Sequence, residues 1–291
     1  EPHPLVPERV SGIKPDNRDI RKINSNELPD FDILTGGFPC QSFSIIAQNP
    51  KRLGVKDDRG KLFFEMCRIL KDKQPKCFIA ENVKGLLTAN QKSAFPLIME
   101  EFKNSGYDVK HMVLNSANYG VPQKRERVII VGFRKDLKLD KEFKFPEPIK
   151  LTTTVKDYLE PNVSYNYYLG KKGFEFVTNP KYKNRAQVNS NIMQCQKANQ
   201  QFNWNGEFVF IPFDEVKNKE DILSKAYVSE YKGIKGVCRK LTPEECVRLM
   251  GFSNKFKFPE KMSDKDKYRQ AGNSIVVNIF AVGYKQSFDC K

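Results

Sequence analysis

The sequence is short of the residues that mark metal-bound or disulfide-stapled proteins. It has two histidines, His3 and His111, one tryptophan, and seven cysteines at 40, 67, 77, 195, 238, 246 and 290 with no Cys-x-x-Cys among them. An odd, scattered set of thiols argues against both a disulfide framework and a structural zinc. No run of about 18 apolar residues is present. The N-terminus Glu1-Pro2-His3-Pro4 has neither the basic start nor the apolar core of a signal peptide. The expectation is a soluble, cytoplasmic protein with no membrane partner and no metal. Internal repeats and low-complexity tracts are missing too. Acidic residues are outnumbered: 35 Asp and Glu face 50 Lys and Arg, which leaves a formal charge of +15 and a pI of about 9.4. A polyanion is the natural partner of such a chain, nucleic acid before a membrane surface, although a lysine-rich solvated surface gives the same balance.

What is there begins with length. The 291 residues can bury a sizeable core and hold one large domain plus a smaller one. Phe31-Asp32-Ile33-Leu34-Thr35-Gly36-Gly37 reads as a strand, and Phe38-Pro39-Cys40-Gln41 follows it, placing a thiol just past the strand's C-terminal end. Open α/β sheets bind ligands there. A cysteine in that place is also a good small core residue, so its neighbours must decide. The loop from Ser44 to Arg59 carries Lys51, Arg52 and Lys56, charges suited to a phosphate backbone or simply to solvent. Leu62, Phe63, Met66, Ile69 and Leu70 recur at helical spacing and predict a helix over 60–73, ended by Pro75. Cys77-Phe78-Ile79-Ala80 reads as a second buried strand running into Glu81-Asn82-Val83. The segment 91–104 is helical in pattern with a start near Pro96, and 109–114 and 128–133 read as strands. Strands alternating with helices predict an α/β, doubly wound sheet. A carboxylate ending one strand beside a thiol ending another is a pairing with chemical meaning.

From about Phe145 the periodicity fades. Residues 145–238 hold five prolines, many amides, and aromatics interleaved with lysine, as in Lys181-Tyr182-Lys183-Asn184-Arg185. They read as a smaller region of loops and short strands, with 207–211 the best strand. Amides and cations among aromatics suit the reading of base edges, and suit an irregular subdomain equally well. Trp204 reads as a packing residue. Thr242, Pro243 and Glu245 then start a helix as N-cap, first-turn proline and capping-box partner, and Gly272-Asn273-Ser274 leads into an apolar helix.

Five of these elements together, Phe38-Pro39-Cys40-Gln41, Glu81-Asn82-Val83, Gln123-x-Arg125-x-Arg127, Arg239-x-Leu241-Thr242-Pro243-Glu244-Glu245-Cys246 and Gly272-Asn273-Ser274, resemble the DNA (cytosine-5) methyltransferases, in the same order and with the same wide gap between the third and fourth. Asp57-Asp58-Arg59-Gly60-Lys61-Leu62-Phe63 is similar to that family's segment between the nucleophile and the glutamate. The resemblance covers roughly 19–150 and 238–285. It implies an S-adenosylmethionine-dependent methyltransferase sheet in a catalytic domain over 1–164 and 239–291, with a target-recognition domain over 165–238. It implies Cys40 as the nucleophile and Glu81 on the cytosine N3 and amine edge. Arg125, with Arg127 the second candidate, is the cation beside the thiol. For the cofactor it implies Asp19 and Ile20 near the adenine, Pro39 and Leu62 lining the site, and Asn273 and Ser274 beside the methionine end. The implied substrate is duplex DNA, the cytosine flipped out of the stack, in a bacterial restriction-modification system.

The family also opens with a strand, a Phe-x-Gly-x-Gly loop and an acidic residue for the ribose. Neither the loop nor the acidic residue is recognisable in the 18 residues before Asp19, which hold only Gly12. The expected sheet therefore lacks its first strand, and the chain is expected to be a fragment or to rely on a second polypeptide. Two further readings follow: a catalytically incomplete DNA-binding subunit, and a tRNA cytosine-5 methyltransferase of the same fold.

Overall fold

The structure, a computed structural model, describes residues 16, 18–39, 61–89, 92–139 and 141–281. They fall into two compact units: one within Glu1–Asn115, Glu126–Glu147 and Ala281–Lys291, the other within Ser116–Arg125 and Pro148–Phe280. No helix among the described residues is long and apolar enough to cross a membrane.

The first unit is a sheet with helices. Its strands are β1 (Ile33–Gly37), β2 (Cys77–Val83), β3 (Tyr107–Asn115) and β4 (Glu126–Arg134), in the spatial order β1-β2-β4-β3. β1 and β2 are parallel, while β4 runs antiparallel to both β2 and β3. The alternation of strand and helix holds, and the antiparallel β4 makes the sheet mixed. Helix α1 (Lys61–Lys73) forms because Phe63, Met66, Cys67 and Leu70 share one buried face, and Lys71 and Lys73 suit the negative end of its dipole. It stops where Gln74 turns left-handed at φ 46° ahead of Pro75. Helix α2 (Ala94–Asn104) buries Phe95, Ile98 and Phe102.

Burial on one face of β2 follows the strand period of two: Phe78 and Ala80 join Phe38, Phe63 and Phe102 in one apolar cluster. The rings of Phe38 and Phe63 lie 5.1 Å apart edge to face, and those of Phe78 and Phe102 4.5 Å apart. Phe78 pairs across the sheet with Gly132, where an added Cβ would fall 2.1 Å from the Phe78 ring. Only glycine leaves room for that ring.

The second unit holds a second sheet, β5 (Ala186–Val188), β6 (Gly206–Pro212), β7 (Ser229–Tyr231) and β8 (Ile234–Lys240), in the order β5-β6-β8-β7. β7 and β8 form a hairpin through Lys232 and Gly233, both at positive φ, as a tight type I′ turn requires. Phe208 and Phe210 of β6 pack with Phe174 and Val177 of α3 (Lys171–Thr178), whereas Val209 joins Leu241, Cys246 and Leu249 in a different cluster. Helices α4 (Lys219–Leu223), α5 (Pro243–Arg248) and α6 (Asp264–Asn273) complete the unit. The best strand expected from the sequence is β6. The four-stranded sheet and α3 are more order than the fading periodicity predicted, because these elements are short and carry glycine or lysine within them.

α5 begins as expected. Thr242 Oγ1 accepts from the Glu245 N–H at 3.1 Å and Glu245 accepts from the Thr242 N–H at 2.8 Å, a complete capping box. Behind it lies a buried ion pair. Arg239 donates to both carboxylate oxygens of Glu245 at 2.8 and 2.9 Å, with side-chain exposures of 2% and 0%. The Glu160 N–H adds a bond to Glu245 at 2.7 Å.

Candidate active site

In the first unit the residues ahead of the expected nucleophile meet the expected acid. Gly37, the last residue of β1, is in register with Glu81 on β2. Phe38 then turns into the core at 7% exposure, and its carbonyl accepts from the Asn82 side-chain amide at 2.8 Å. Asn82 is itself 3% exposed, and its own oxygen accepts from the Val83 N–H. A buried backbone carbonyl is thus satisfied by a side chain, which fixes where the chain leaves β1. Pro39 follows and is half-buried. Cys40, the nucleophile the sequence points to, lies outside the described residues, as does the basic loop 44–59.

Glu81 is in register with Ile129, so Arg127, two residues along β4, is its diagonal neighbour on the same face. Arg127 Nε sits 2.7 Å from Glu81 Oε1, the two side chains being 14% and 15% exposed. This pair is a close charge-assisted contact, and its partial exposure leaves it open enough to exchange partners. Of the two arginines expected near the thiol, Arg127 is the one paired with the glutamate.

Arg125 belongs to the second unit and is 3% exposed. Its guanidinium donates to the carbonyls of Gln196 at 2.7 Å, Gly272 at 3.1 Å and Ser274 at 2.8 Å. It therefore ties the Gly272-Asn273-Ser274 turn to the 195–196 segment. Gly272 is required there: an added Cβ would fall 2.2 Å from the Lys197 backbone. Asn273, the last residue of α6, is exposed, and the Ser274 hydroxyl caps the helix through the Ala271 carbonyl at 2.7 Å.

The residues expected around the adenine are local to the first unit. Asp19 caps a short 3-10 turn, Ile20–Lys22, and accepts from the Arg21 N–H at 3.0 Å. The Arg21 guanidinium bonded to it lowers its carboxyl to about 2. The Ile20 and Ile23 carbonyls both accept from Arg68 of α1 at 3.1 Å, so the turn is stapled to the helix whose first turn carries half-buried Leu62. A carboxylate beside the first N–H of a turn matches the amine and ring-nitrogen edge of adenine. Both Asp19 oxygens are bonded to the Arg21 guanidinium, so an adenine amine would have to share them.

Sequence reasoning missed Asn82 and Arg68. Both act on backbone carbonyls more than 40 residues away, and only the adjacency of Asn82 to Glu81 hinted at a role. Burial pushes the Cys67 and Cys238 thiols up to about 12 and Cys246 well above its ordinary value, which marks them as packing residues. Among the described residues no cluster of His, Cys, Asp and Glu is placed to hold a metal ion.

Comparison with known proteins follows the same lines. The Lactococcus lactis subsp. cremoris "Type II methyltransferase M1.ScrFI" is 36% identical over 275 residues, covering 92% of this chain and 65% of that protein. This chain thus spans a little under two thirds of that relative's length. The Haemophilus parahaemolyticus "Type II methyltransferase M.HhaI" is 34% identical over 274 residues, covering 92% of this chain and 79% of that protein. Among solved structures, an Entamoeba histolytica methyltransferase, EhMeth, superposes with a TM-score of 0.72 at 20% identity over 98% of this chain and 86% of that one. The S. pombe Dnmt2 methyltransferase gives 0.66 at 18% identity over 94% and 83%. Those two establish an α/β methyltransferase fold. The sequence profile of the C-5 cytosine-specific DNA methylases matches residues 9–287, and the chain belongs to that family.

Proposed function

We propose that this protein transfers a methyl group from S-adenosylmethionine to carbon 5 of a flipped cytosine in a specific duplex DNA sequence, through a covalent bond from Cys40 to carbon 6, as the modification half of a bacterial restriction-modification system. One observation supports this most: the Asn82 bond to Phe38 and the Gly37–Glu81 register hold the peptide leading to Pro39-Cys40 beside the Glu81–Arg127 pair.

The cytosine must leave the stack, because its carbon 6 is out of reach inside a duplex. The Cys40 thiolate adds to carbon 6, and the electron pair of the ring double bond becomes available at carbon 5. Glu81 faces the N3 and exocyclic amine edge, where a proton held at N3 offsets the negative charge of thiolate addition. Arg127 holds Glu81 in place until the base arrives and supplies positive charge to the site. Bound S-adenosylmethionine supplies the electrophilic methyl group. Carbon 5 would take that methyl, with S-adenosylhomocysteine as the departing thioether; the carbon 5 proton would then leave to a base, and the bond from the Cys40 sulfur to carbon 6 would break to restore the thiolate. By the family resemblance Asp19 and Ile20 would hold the adenine, Pro39 and Leu62 would line the site, and Asn273 and Ser274 would serve the methionine end. Residues 165–238 would read the DNA sequence, with 1–164 and 239–291 forming the catalytic domain.

A second reading, a DNA-binding subunit completed by another polypeptide, is favoured by one feature. Among the described strands β1 stands at the sheet edge, with Thr35 and Gly37 exposed. A duplex carrying 5-fluorocytosine tests both, since the fluorine cannot leave and traps the adduct. With S-adenosylmethionine present, a covalent complex lost in Cys40→Ser is expected. Adduct formed without any added polypeptide contradicts the second reading, adduct only after a glycine-loop piece is supplied supports it, and no adduct in either case contradicts the transfer reaction.

A further inference from the structure

The second unit contains a cavity of about 530 Å³ lined by Phe176, Arg185, Gln201, Phe202, Asn203, Trp204 and Lys240. That volume is in the range of small-ligand sites, about 300–1,000 Å³. Its walls are aromatic. Phe176 stacks on Tyr182 with centroids 4.0 Å apart at 8°, and Trp204 lies 5.2 Å from Phe176. Its rim is cationic. The Arg185 guanidinium sits 5.3 Å over the Phe176 ring and spends one of its donors on the Asn203 carbonyl at 3.0 Å. A buried acceptor lines the cavity as well. Gln201 is 2% exposed, its amide NH2 is fixed by the Glu207 carbonyl at 2.8 Å, and its Oε1 has no partner among the described residues. A buried polar atom without a partner calls for an explanation, and a ligand is one.

The backbone gives a further sign. Gln201, Asn203 and Trp204 all have positive φ, 68°, 49° and 51°. For a bulky aromatic this is an outlier, and such strain gathers at ligand sites. It presents the chain's one tryptophan at the cavity.

We propose that this cavity binds a single unpaired nucleotide whose base carries an exocyclic amine. The base lies against Trp204 and against the Phe176 face that Arg185 uncovers as its guanidinium turns to the phosphate, its amine donates to Gln201 Oε1, and Lys240 also meets the phosphate. Stacking accepts any base, and the lone acceptor favours cytosine, with its projecting amine, over thymine, whose one ring donor, N3–H, lies between two carbonyl oxygens. None of the lining residues is among those assigned to the transfer chemistry, and as a contact to a DNA strand the proposal rests on DNA being the substrate.

Because Trp204 is the sole tryptophan, its emission reports on the pocket directly. Full-length protein is titrated with oligo(dC), oligo(dT), dCMP, and a non-aromatic polyanion such as dextran sulfate. Saturable quenching by oligo(dC), at least about fivefold tighter than by oligo(dT), is expected. Arg185→Ala should weaken it by a similar factor, and Gln201→Leu should erase the preference. Quenching by dCMP as tight as by the oligomer would identify a free nucleotide as the occupant and overturn a strand contact, whereas tighter oligomer binding supports it. Equal responses to dextran sulfate and oligo(dC), or no response to either, overturn the proposal. Arg185→Ala is exposed and outside the transfer site, so it should still form the Cys40 adduct. Loss of quenching with the adduct intact in that variant separates this pocket from the transfer reaction. In the unsubstituted protein, a quenching failure with the adduct intact counts against this pocket alone.

Discussion

Glu81 with Arg127 in the first unit and Glu245 with Arg239 in the second are the same two residue types at nearly the same distance, 2.7 and 2.8 Å. Their surroundings differ. The Arg239–Glu245 pair is sealed, bidentate, and tied further to the backbone N–H groups of Thr242 and Glu160. The Glu81–Arg127 pair is about 15% exposed and stands beside the strand exit that leads to Cys40. A charge pair with every lone pair satisfied is a fixed part of the core, and breaking it strands a charge. A pair left partly open at the end of a strand can trade its partner for a ligand.

The largest difference should come from cutting each pair in turn. Glu245→Ala should lower the unfolding free energy by about 3–5 kcal/mol. Glu81→Ala should cost about 1 kcal/mol or less while stopping adduct formation. Urea denaturation of both variants measures the contrast, and equal losses would erase it.

The next effect separates a paired buried carboxylate from a lone one. Glu207 is 1% exposed, and burial raises its carboxyl to about 7, with the Ser190 N–H at 2.7 Å as a partial offset. The native state therefore holds this proton more tightly than the unfolded chain. The stability it contributes is full below the ordinary value of 4.5 and is lost as pH rises to about 7. The loss amounts to about 3 kcal/mol. Glu207→Gln should flatten the stability profile across that window, which thermal melts over a pH series will show.

The smallest of the three concerns the clamp beside the open pair. Asn82→Ala removes the side-chain bond to the Phe38 carbonyl and should cost about 1 kcal/mol. If the clamp also positions Cys40, adduct formation should slow by more than the small stability loss explains. An unchanged adduct rate would reduce Asn82 to a packing role.

The sheet of the first unit was legible in the sequence because β2 and β4 hold continuous buried apolar runs and α1 repeats Phe63, Met66 and Leu70 on one face. The cap at Thr242 was legible for the same local reason. The second sheet was not, because strands such as Ile234–Lys240 mix lysine and glycine with three buried residues and gain their partners from β6 and β7. For the candidate site, the family resemblance implied Glu81 and, as the cation, Arg125 ahead of Arg127. The ties that place them lie between residues distant in sequence. Asn82 reaches back 44 residues to Phe38, and Arg125 forward 147 residues to Gly272. No periodicity reports such contacts.

The central claim is that Cys40 attacks a cytosine under the control of Glu81. Its most direct measurement is mass spectrometry of the peptide containing Cys40 after incubation with a 5-fluorocytosine duplex and S-adenosylmethionine. The expected result is a nucleotide bonded to Cys40, absent in Cys40→Ser and strongly reduced in Glu81→Gln. A modified nucleotide on any other residue, or an undiminished adduct in Glu81→Gln, would contradict it.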